Sequence, residues 1–342
     1  MGQEQSHATD LEEIVQDKEN LIKQAAQKIA EADFLLLATG AGFSADSGLA
    51  VYKDIADVAA YHEMGVDYMD LCQPQWIEKD PEIFYGFWGM CFNDYRNTTP
   101  HEGYTIVKKW RDALVNRSSS DLEKALENLS LESPLKKFFV YTSNVDSHSQ
   151  KSGFSADEVH EIHGTTEVWQ CSIGCSAQCW DAPQDFKFEI ETATMRCKRG
   201  EKKQGASKGW ETNHPICPRC GSLARPSILM FGDDGWIDGR SKQRTAYGDW
   251  KIRVQRALKV NPNLKIAIIE AGCGIRVPTV RWQTDGWLED CPTGQCTVIR
   301  INPDYPGGKK DGLIRIVGHS KDSLAKIDDH VQKIKAEKQG KL

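Results

Sequence analysis

The chain has 342 residues, a net charge of −6 and a hydrophobic content of 39%, values typical of a globular protein with a large buried core. The negative charge argues against a broad nucleic-acid-binding surface, and no apolar run approaches the roughly 20 residues that cross a bilayer. The N-terminus lacks the hydrophobic region of a secretion signal, so we expect a cytoplasmic protein, with the nucleus as the alternative.

The first predicted element is an amphipathic helix over residues 10–33, where apolar residues recur at helical spacing between Lys and Glu. Before it, residues 1–6 match the short N-myristoylation pattern. Glu4 adds no basic support to that pattern, so we expect Gly2 to remain unacylated. Residues 34–38 then form an apolar run that predicts one buried strand of a parallel sheet.

A glycine-rich turn follows this strand. Gly40, Gly42 and Ala45 fit the loose dinucleotide fingerprint G-x-G-x-x-A, in which small residues allow a tight turn and the close approach of a pyrophosphate. The hydroxyls of Ser44 and Ser47 would add hydrogen-bond donors, and a helix beginning here would point its free N–H groups at the same anion. These residues leave an ordinary strand-to-helix turn open as the alternative.

The rest of the chain alternates helices with buried strands. Most of the strands end in Gly, Asn, Ser or Asp, which predicts a doubly wound α/β sheet with a ligand crevice along one edge. Residues 74–97 are rich in aromatics and predict a helical region in which packing is favoured over a pocket-lining role. Helices are predicted at 104–115, 121–130 and 321–336 and strands at 138–141, 225–233, 264–269, 297–301 and 313–317, with a loose end from 337.

Six cysteines within residues 171–220 predict a metal site. Cys217 and Cys220 form a Cys-x-x-Cys pair followed by glycine, half of the four-thiolate pattern of structural zinc. For the other half we select Cys171 with Cys175, and Cys179 is the competing ligand. A redox pair and buried free thiols are the weaker alternatives. A closed site of this kind would perform no chemistry.

Two polar segments lie where a ligand crevice is expected. Residues 142–146, TSNVD, follow the strand predicted at 138–141, and His163-Gly164 comes shortly afterwards. A lone histidine is more often structural than catalytic, but its position near a polar strand end places it at the same crevice.

Taken in order, these motifs resemble the sirtuin family from about residue 30 to 325. Residues 40–48 resemble its NAD-binding loop, residues 142–146 its second motif and His163-Gly164 its catalytic histidine motif. Residues 225–232 resemble the strand that pairs with the substrate peptide. Gly272, Gly274 and Asn302 resemble the later ribose and adenine contacts.

The resemblance implies a Rossmann-type NAD-binding domain over 1–170 and 222–330, with a helical insertion at about 55–130. It also implies a small zinc-binding module over 171–221 and a tail over 331–342. NAD would be consumed as a co-substrate, and zinc would be structural. Nicotinamide leaves, and the acyl oxygen of a modified lysine attacks the ribose, so the partner is an acylated protein or peptide.

The resemblance also assigns roles to residues. His163 is the general base, Asn144 positions the ribose and a water, and Asp146 holds the nicotinamide amide. Ile228 and Phe231 line the acyl-lysine tunnel, and Gly232 and Asp233 meet the peptide backbone. The residues implied in cofactor binding are Gly40, Ala41, Gly42, Ser44, Tyr52, Lys53, Ser143, Asn144, Val145, Asp146, Gly272, Cys273, Gly274, Asn302, Asp304 and Ser320.

The chain departs from the family pattern at several of these positions. The usual Pro-Asp-Phe-Arg is Ala50-Val51-Tyr52-Lys53, and the usual glutamine after Thr142 is Ser143. Cys273-Gly274 and Asp233 also differ from the usual residues. An NAD-dependent protein-lysine deacylase is the leading hypothesis. The alternatives are a mono-ADP-ribosyltransferase or NAD hydrolase on the same scaffold, and a catalytically silent module that binds NAD and acyl-lysine.

Overall fold

A computed structural model describes residues 14–129, 134–308 and 310–340, apart from a few side chains, including those of Tyr52 and Lys53. Gly2 and residues 10–13 of the first predicted helix lie outside this part of the chain. The strands are β1 Phe34–Thr39, β2 Phe138–Thr142, β3 Val159–Glu161, β4 Gly164–Cys171, β5 Trp180–Asp181, β6 Ala224–Ile228, β7 Ile266–Ala271, β8 Cys296–Ile301 and β9 Leu313–Ile316.

Helices connect these strands, and a single 3-10 turn, Ala156–Glu158, precedes β3. The α-helices are α1 Lys18–Glu31, α2 Ala41–Ala45, α3 Tyr52–Ala56, α4 Ala59–Met64, α5 Tyr68–Leu71, α6 Trp76–Lys79, α7 Pro81–Asn97, α8 Glu102–Val115, α9 Ser120–Leu129, α10 His148–Lys151, α11 Ser241–Val260, α12 Thr279–Asp290 and α13 Ser320–Gln339. None of the described helices is both long enough and apolar enough to cross a bilayer.

A six-stranded parallel sheet in the order β3-β2-β1-β7-β8-β9 forms the larger part of the fold. The chain builds outward from β1 to β3 and then returns to place β7 on the other side of β1, so the strand order reverses between β1 and β7. In such sheets the ligand crevice lies at the carboxyl ends of the strands at this reversal. The predicted doubly wound α/β fold is confirmed.

Both faces of the sheet are covered by helices. Along β1, Leu35 and Leu37 face a core that includes α1, α8 and α13, whereas Phe34, Leu36 and Ala38 face a core with α9, α11 and α12. The alternation follows from the two-residue period of a strand, and it explains why a strand buried on both faces is apolar throughout.

A three-stranded antiparallel sheet, ordered β5-β4-β6, forms a second unit beside the first sheet. Its core is aromatic and includes Trp169, Phe188 and Trp210 together with Phe84 and Phe92 of α7. The aromatics of residues 74–97 therefore mainly pack this unit, as predicted. The domain boundaries at residues 171 and 221 remain predictions.

Two predicted elements end three or more residues away from the predicted position. The strand predicted at 225–233 ends at Ile228, because Leu229 donates its N–H to the carbonyl of His163 and Phe231 donates to the carbonyl of Cys72, which turns the chain away from the sheet. The last helix extends to Gln339 rather than ending at residue 336, since its final residues favour helix and Val331 anchors it in the core.

Candidate active site

The loops after β1 and β7 meet at the point where the strand order reverses. Gly40 donates its N–H to the Ala271 carbonyl at 3.1 Å, and Gly42 donates to the Gly272 carbonyl at 3.0 Å. Gly272 has a φ of +65°, and a Cβ there would lie 2.0 Å from the Phe43 nitrogen. These glycines therefore allow two loops to pack directly against each other at the carboxyl edge of the sheet.

A chain of hydrogen bonds joins the first loop to the loop after β2. The Asn144 side-chain amide donates to the Ser44 hydroxyl at 2.9 Å, and that hydroxyl donates to Asp146 Oδ2 at 2.5 Å. Asp146 Oδ1 accepts the backbone N–H of His148 at 2.8 Å. Ser44 and Asp146 are only 4% and 5% exposed, so the three side chains are held in one arrangement.

His163 lies between β3 and β4, at the edge of the same crevice. Burial lowers the pKa of its imidazole below the ordinary value, although a hydrogen bond to the backbone carbonyl of Ser143 acts in the opposite direction. The ring is therefore neutral near pH 7. Because one ring N–H donates to Ser143, the other nitrogen is an acceptor that can take a proton.

One cavity of about 220 Å³ brings these polar groups together with an apolar wall. Of the predicted site residues, Ala41, Ser44, Ser143, Asn144, Val145, Asp146, His163, Ile228 and Phe231 line it. Ile228 is buried, and the ring of Phe231 packs edge-on against Tyr68 with centroids 6.3 Å apart. The cavity thus has a polar end, with a base and a carboxylate, and an apolar end.

Ten residues that sequence reasoning did not assign to the site also line the cavity. The aromatic content of residues 74–97 could have identified Trp88 and Tyr95, but no local signal distinguished them from core aromatics. The others come from the segment before and within the helical insertion, from the turn after β6 and from the loop after β7. The ten are Leu49, Ala50, Ile55, Tyr68, Cys72, Trp88, Tyr95, Leu229, Met230 and Val277.

The residues predicted at the ends of β7 and β8 do not line this cavity. The Cys273 side chain is 3% exposed and faces the sheet core, where burial raises the pKa of its thiol well above the ordinary value. Asn302 donates its side-chain amide N–H to the Cys273 carbonyl at 2.9 Å, and its Oδ1 accepts the backbone N–H groups of Asp304 and Tyr305. These two side chains order the loops after β7 and β8, and the predicted cofactor contacts of Cys273 and Asn302 stay predictions.

Three other predicted cofactor contacts have different surroundings. Gly274 is half-buried in the loop after β7, and a Cβ there would have no other atom within 4 Å. Asp304 is exposed, whereas Ser320 is 3% exposed at the start of α13. The side chains of Tyr52 and Lys53 lie outside the described part of the structure, so their predicted roles are not compared.

Asp233 is held by contacts within the protein. Its side chain forms a bidentate ion pair with Arg225, with N–O distances of 2.7 and 2.8 Å, and the two side chains are 1% and 2% exposed. It also accepts the N–H of Gly235 at 3.1 Å. Asp233 therefore stabilises the turn after β6, and its role toward substrate stays a prediction. Its neighbour Gly232 is exposed, with a φ of +63°.

The predicted cysteine ligands lie together at the end of β4. The sulfurs of Cys171, Cys175, Cys217 and Cys220 all lie within 4.8 Å of one another. The Cys171–Cys220 and Cys175–Cys217 sulfur pairs are 3.6 and 3.7 Å apart. Four sulfurs at 2.3 Å from one zinc ion in a tetrahedron would be about 3.8 Å apart, so the cluster fits a structural zinc ion.

The competing ligand lies elsewhere. The Cys179 sulfur is 3.9 Å from the Ser227 hydroxyl and 4.0 Å from the Ile237 carbonyl, outside the four-sulfur cluster. The geometry therefore favours Cys175 over Cys179, the alternative that the cysteine spacing left open.

Comparisons with known proteins agree with this geometry. The sequence model of the Sir2 family matches residues 89–249. NAD-dependent protein deacetylase 2 of Caldanaerobacter subterraneus subsp. tengcongensis is 26% identical over 217 residues, which span 64% of this chain and 68% of the relative. An NAD-dependent protein deacylase of Corynebacterium glutamicum is 24% identical over 246 residues, spanning 71% and 78% of the two chains.

Solved structures share the fold. A Sir2 homologue in complex with NAD aligns with a TM-score of 0.53 and 20% identity, covering 91% of this chain and 94% of that one. A Sir2 protein bound to a myristoylated histone peptide aligns with a TM-score of 0.50 and 15% identity, covering 93% and 99%. The sequence matches, the shared fold and the four-cysteine cluster therefore agree in their similarity to the Sir2 family, the sirtuins.

Proposed function

We propose that this chain is an NAD-dependent protein-lysine deacylase. The observation that carries the proposal is the cavity in which His163, Asn144 and Asp146 share one polar end and Ile228 and Phe231 form the apolar wall. The relatives named as deacetylases and deacylases support it. The products would be nicotinamide, the free lysine and an acyl-ADP-ribose.

The residues at the polar end fit the groups of NAD. The Asp146 carboxylate accepts one hydrogen bond at each oxygen within the protein and has further lone pairs for the amide N–H of nicotinamide. Asn144 and Ser143 present amide and hydroxyl groups suited to ribose hydroxyls. When bound, NAD supplies a ribose carbon from which nicotinamide leaves, and the glycine loops after β1 and β7 would hold its phosphates.

The protein's own groups have defined tasks in this scheme. His163, neutral near pH 7 because burial lowers its pKa, accepts a proton from a ribose hydroxyl. Asn144, fixed through Ser44, orients the ribose and a water. The buried wall around Ile228 excludes solvent from the acyl group.

The acyl-lysine would enter beside Phe231 and Gly232. The described residues that line the cavity include neither lysine nor arginine, so this wall offers no cation to an anionic acyl group. The substrate is therefore an acylated lysine with an uncharged acyl chain. A cytoplasmic or nuclear location, which the sequence predicts, remains part of the proposal and is tested by cell fractionation.

The test is nicotinamide release from NAD with an acetyl-lysine peptide, compared with the same peptide carrying an unmodified lysine. We expect release only with the acylated peptide, and loss of release in His163→Ala with NAD binding retained. Release without any acyl-lysine would favour the NAD hydrolase, and mass added to protein would favour the ADP-ribosyltransferase. Binding of both ligands with no release would favour the silent module.

A further inference from the structure

Ser147 has an unusual backbone conformation beside the candidate catalytic loop. Its φ is 57° and its ψ is 20°, and among the described residues other than glycine only Ser147 and Met195 have a positive φ. Side chains rarely tolerate this left-handed region, and such residues persist where their surroundings hold them. Ser147 directly follows Asp146 and precedes α10, so the strained residue lies at the end of the loop that carries the polar site groups.

The hydroxyl of Ser147 has two specific partners. It donates to Glu161 Oε1 at 3.2 Å and lies 2.6 Å from the hydroxyl oxygen of Thr165. It makes no capping bond to α10, the use that a serine at this position commonly serves. Glu161 is 2% exposed and Thr165 is fully buried, so each contact has one partner that is buried from water.

These two partners flank His163 in the sequence, two residues before it and two residues after it. Glu161 ends β3, where its backbone N–H is held by the Gln243 side chain at 3.1 Å. Thr165 is the second residue of β4 and pairs with Ser227 of β6, next to the Gly164–Ile228 pair. The Ser147 hydroxyl therefore contacts the chain both before and after His163 in the sequence.

The residue before Ser147, Asp146, is hydrogen-bonded to the remaining polar site groups. Asp146, its neighbour, accepts from Ser44, which in turn accepts from Asn144. The carbonyl of Val145 accepts the backbone N–H of Thr166 at 3.1 Å, so the loop and the start of β4 are also joined by a backbone contact. The Ser147 hydroxyl thus adds a side-chain link between the loop of Asp146 and the segment that carries His163, beside the contacts that Val145 makes with Thr165 and Thr166.

We propose that Ser147 is a positioning residue whose hydroxyl fixes the His163 segment against the loop of Asn144 and Asp146. The inference rests on the proposed function, in which His163 is the base. The left-handed conformation places the hydroxyl between Glu161 and Thr165, and the two buried contacts hold the residue in that conformation. Ser147 touches no reacting atom and acts only through the placement of His163.

Ser147→Gly separates the hydroxyl from the backbone conformation. Glycine adopts the left-handed region freely, so the relief of backbone strain offsets part of the stability that is lost with the two contacts. We expect its kcat for deacylation to fall about tenfold because the base is less well placed, with the KM for NAD nearly unchanged. Ser147→Ala should lose the same activity with no gain in backbone stability.

The matched control is Ser152→Ala. Ser152 directly follows α10, and its partly buried hydroxyl donates to the His148 carbonyl at 2.7 Å. It forms no hydrogen bond with Glu161 or Thr165. Its loss should leave kcat unchanged. A fall in kcat equal to that of Ser147→Gly would overturn the proposal, since removal of any hydroxyl from this region would then suffice.

A second readout does not depend on turnover. In protein labelled with ¹³C-histidine, the His163 ring signal is assigned from its absence in His163→Gln and followed without NAD. We expect Ser147→Gly to shift or broaden this signal, while Ser152→Ala leaves it unchanged. An unaltered His163 signal overturns the proposal even if kcat falls, because the effect would not act through His163. If the wild type turns over no NAD, the proposed function fails and this signal alone decides the role of Ser147.

Discussion

The buried carboxyl of Glu161 allows a quantitative prediction of how the free energy of unfolding depends on pH. Burial raises its pKa from 4.5 to about 7, against the opposing effects of Arg240 at 3.9 Å and of Ser147. The unfolded chain releases this proton near pH 4.5, whereas the folded protein retains it up to about pH 7. Glu161 therefore favours folding below pH 4.5 and loses that contribution as the pH rises to 7.

The size of the effect follows from the pKa difference. Each pKa unit corresponds to about 1.4 kcal/mol, so ionisation of Glu161 lowers the free energy of unfolding by about 3 kcal/mol between pH 4 and pH 8. Glu161→Gln removes the ionisation and keeps the shape of the side chain. We expect the stability of the variant, relative to the wild type, to increase by about 2 to 3 kcal/mol from pH 5 to pH 8.

Urea unfolding at a series of pH values measures the free energy of unfolding of both proteins. Subtracting the wild-type value from that of Glu161→Gln cancels the contributions of the titratable groups that the two proteins share. Glu63→Gln, the same change at an exposed position on α4, serves as the control for the substitution itself. A Glu161→Gln curve parallel to that of the wild type would refute the reasoning, because it would mean that the buried carboxyl ionises as it does in the unfolded chain.

Three further predictions concern other parts of the molecule. Elemental analysis should find one zinc ion per chain in the wild type and in Cys179→Ser, and none in Cys217→Ser. The Tm should fall in Cys217→Ser and stay unchanged in Cys179→Ser. Equal zinc content in the two variants would contradict the cluster geometry. Asp233→Asn should lower the free energy of unfolding in urea by about 3 to 5 kcal/mol, because it leaves the buried Arg225 charge without its partner. A loss of under about 1 kcal/mol would contradict this, since it would mean that the pair contributes as little as an exposed ion pair. Because burial lowers the pKa of His163, kcat/KM should fall on acidification only below pH 6.5, and a half-maximal point at or above 6.5 in the pH profile would argue against His163 as the base.

Much of the fold could be predicted because its strands are buried on both faces. Runs such as residues 34–38 and 264–269 are apolar without alternation, and the polar or small residues that follow each run mark the carboxyl edge of a parallel sheet. The same edge gathers His163, Asn144 and Asp146, which the order of motifs predicted to lie together.

The direction of side chains could not be predicted in the same way. A motif places a residue at the end of a strand but does not say whether its side chain faces the crevice. Cys273 faces the core because its thiol is small and apolar, and Asn302 uses its amide on the backbone of two loops. The side chain of Asp233 pairs with Arg225, eight positions earlier, because the buried charge of Arg225 requires a partner.

The apolar side of the cavity was the least predictable part. Tyr68, Cys72 and Trp88 come from the helical insertion and reach the site through contacts distant in sequence, such as the bond from the Phe231 N–H to the Cys72 carbonyl at 3.0 Å. Aromatic residues at helical spacing fit a core and a pocket wall equally well. Their role depends on which elements pack together, and the local sequence does not encode that.

The central claim is that the cavity transfers an acyl group from lysine to ADP-ribose. Mass spectrometry of a reaction with the purified full chain, NAD and a panel of acyl-lysine peptides tests it most directly. The account predicts free peptide lysine in step with an ADP-ribose product heavier by the acyl group, for uncharged acyl chains, and neither product in His163→Ala. Free ADP-ribose with the peptide still acylated, or ADP-ribose attached to protein, would contradict it.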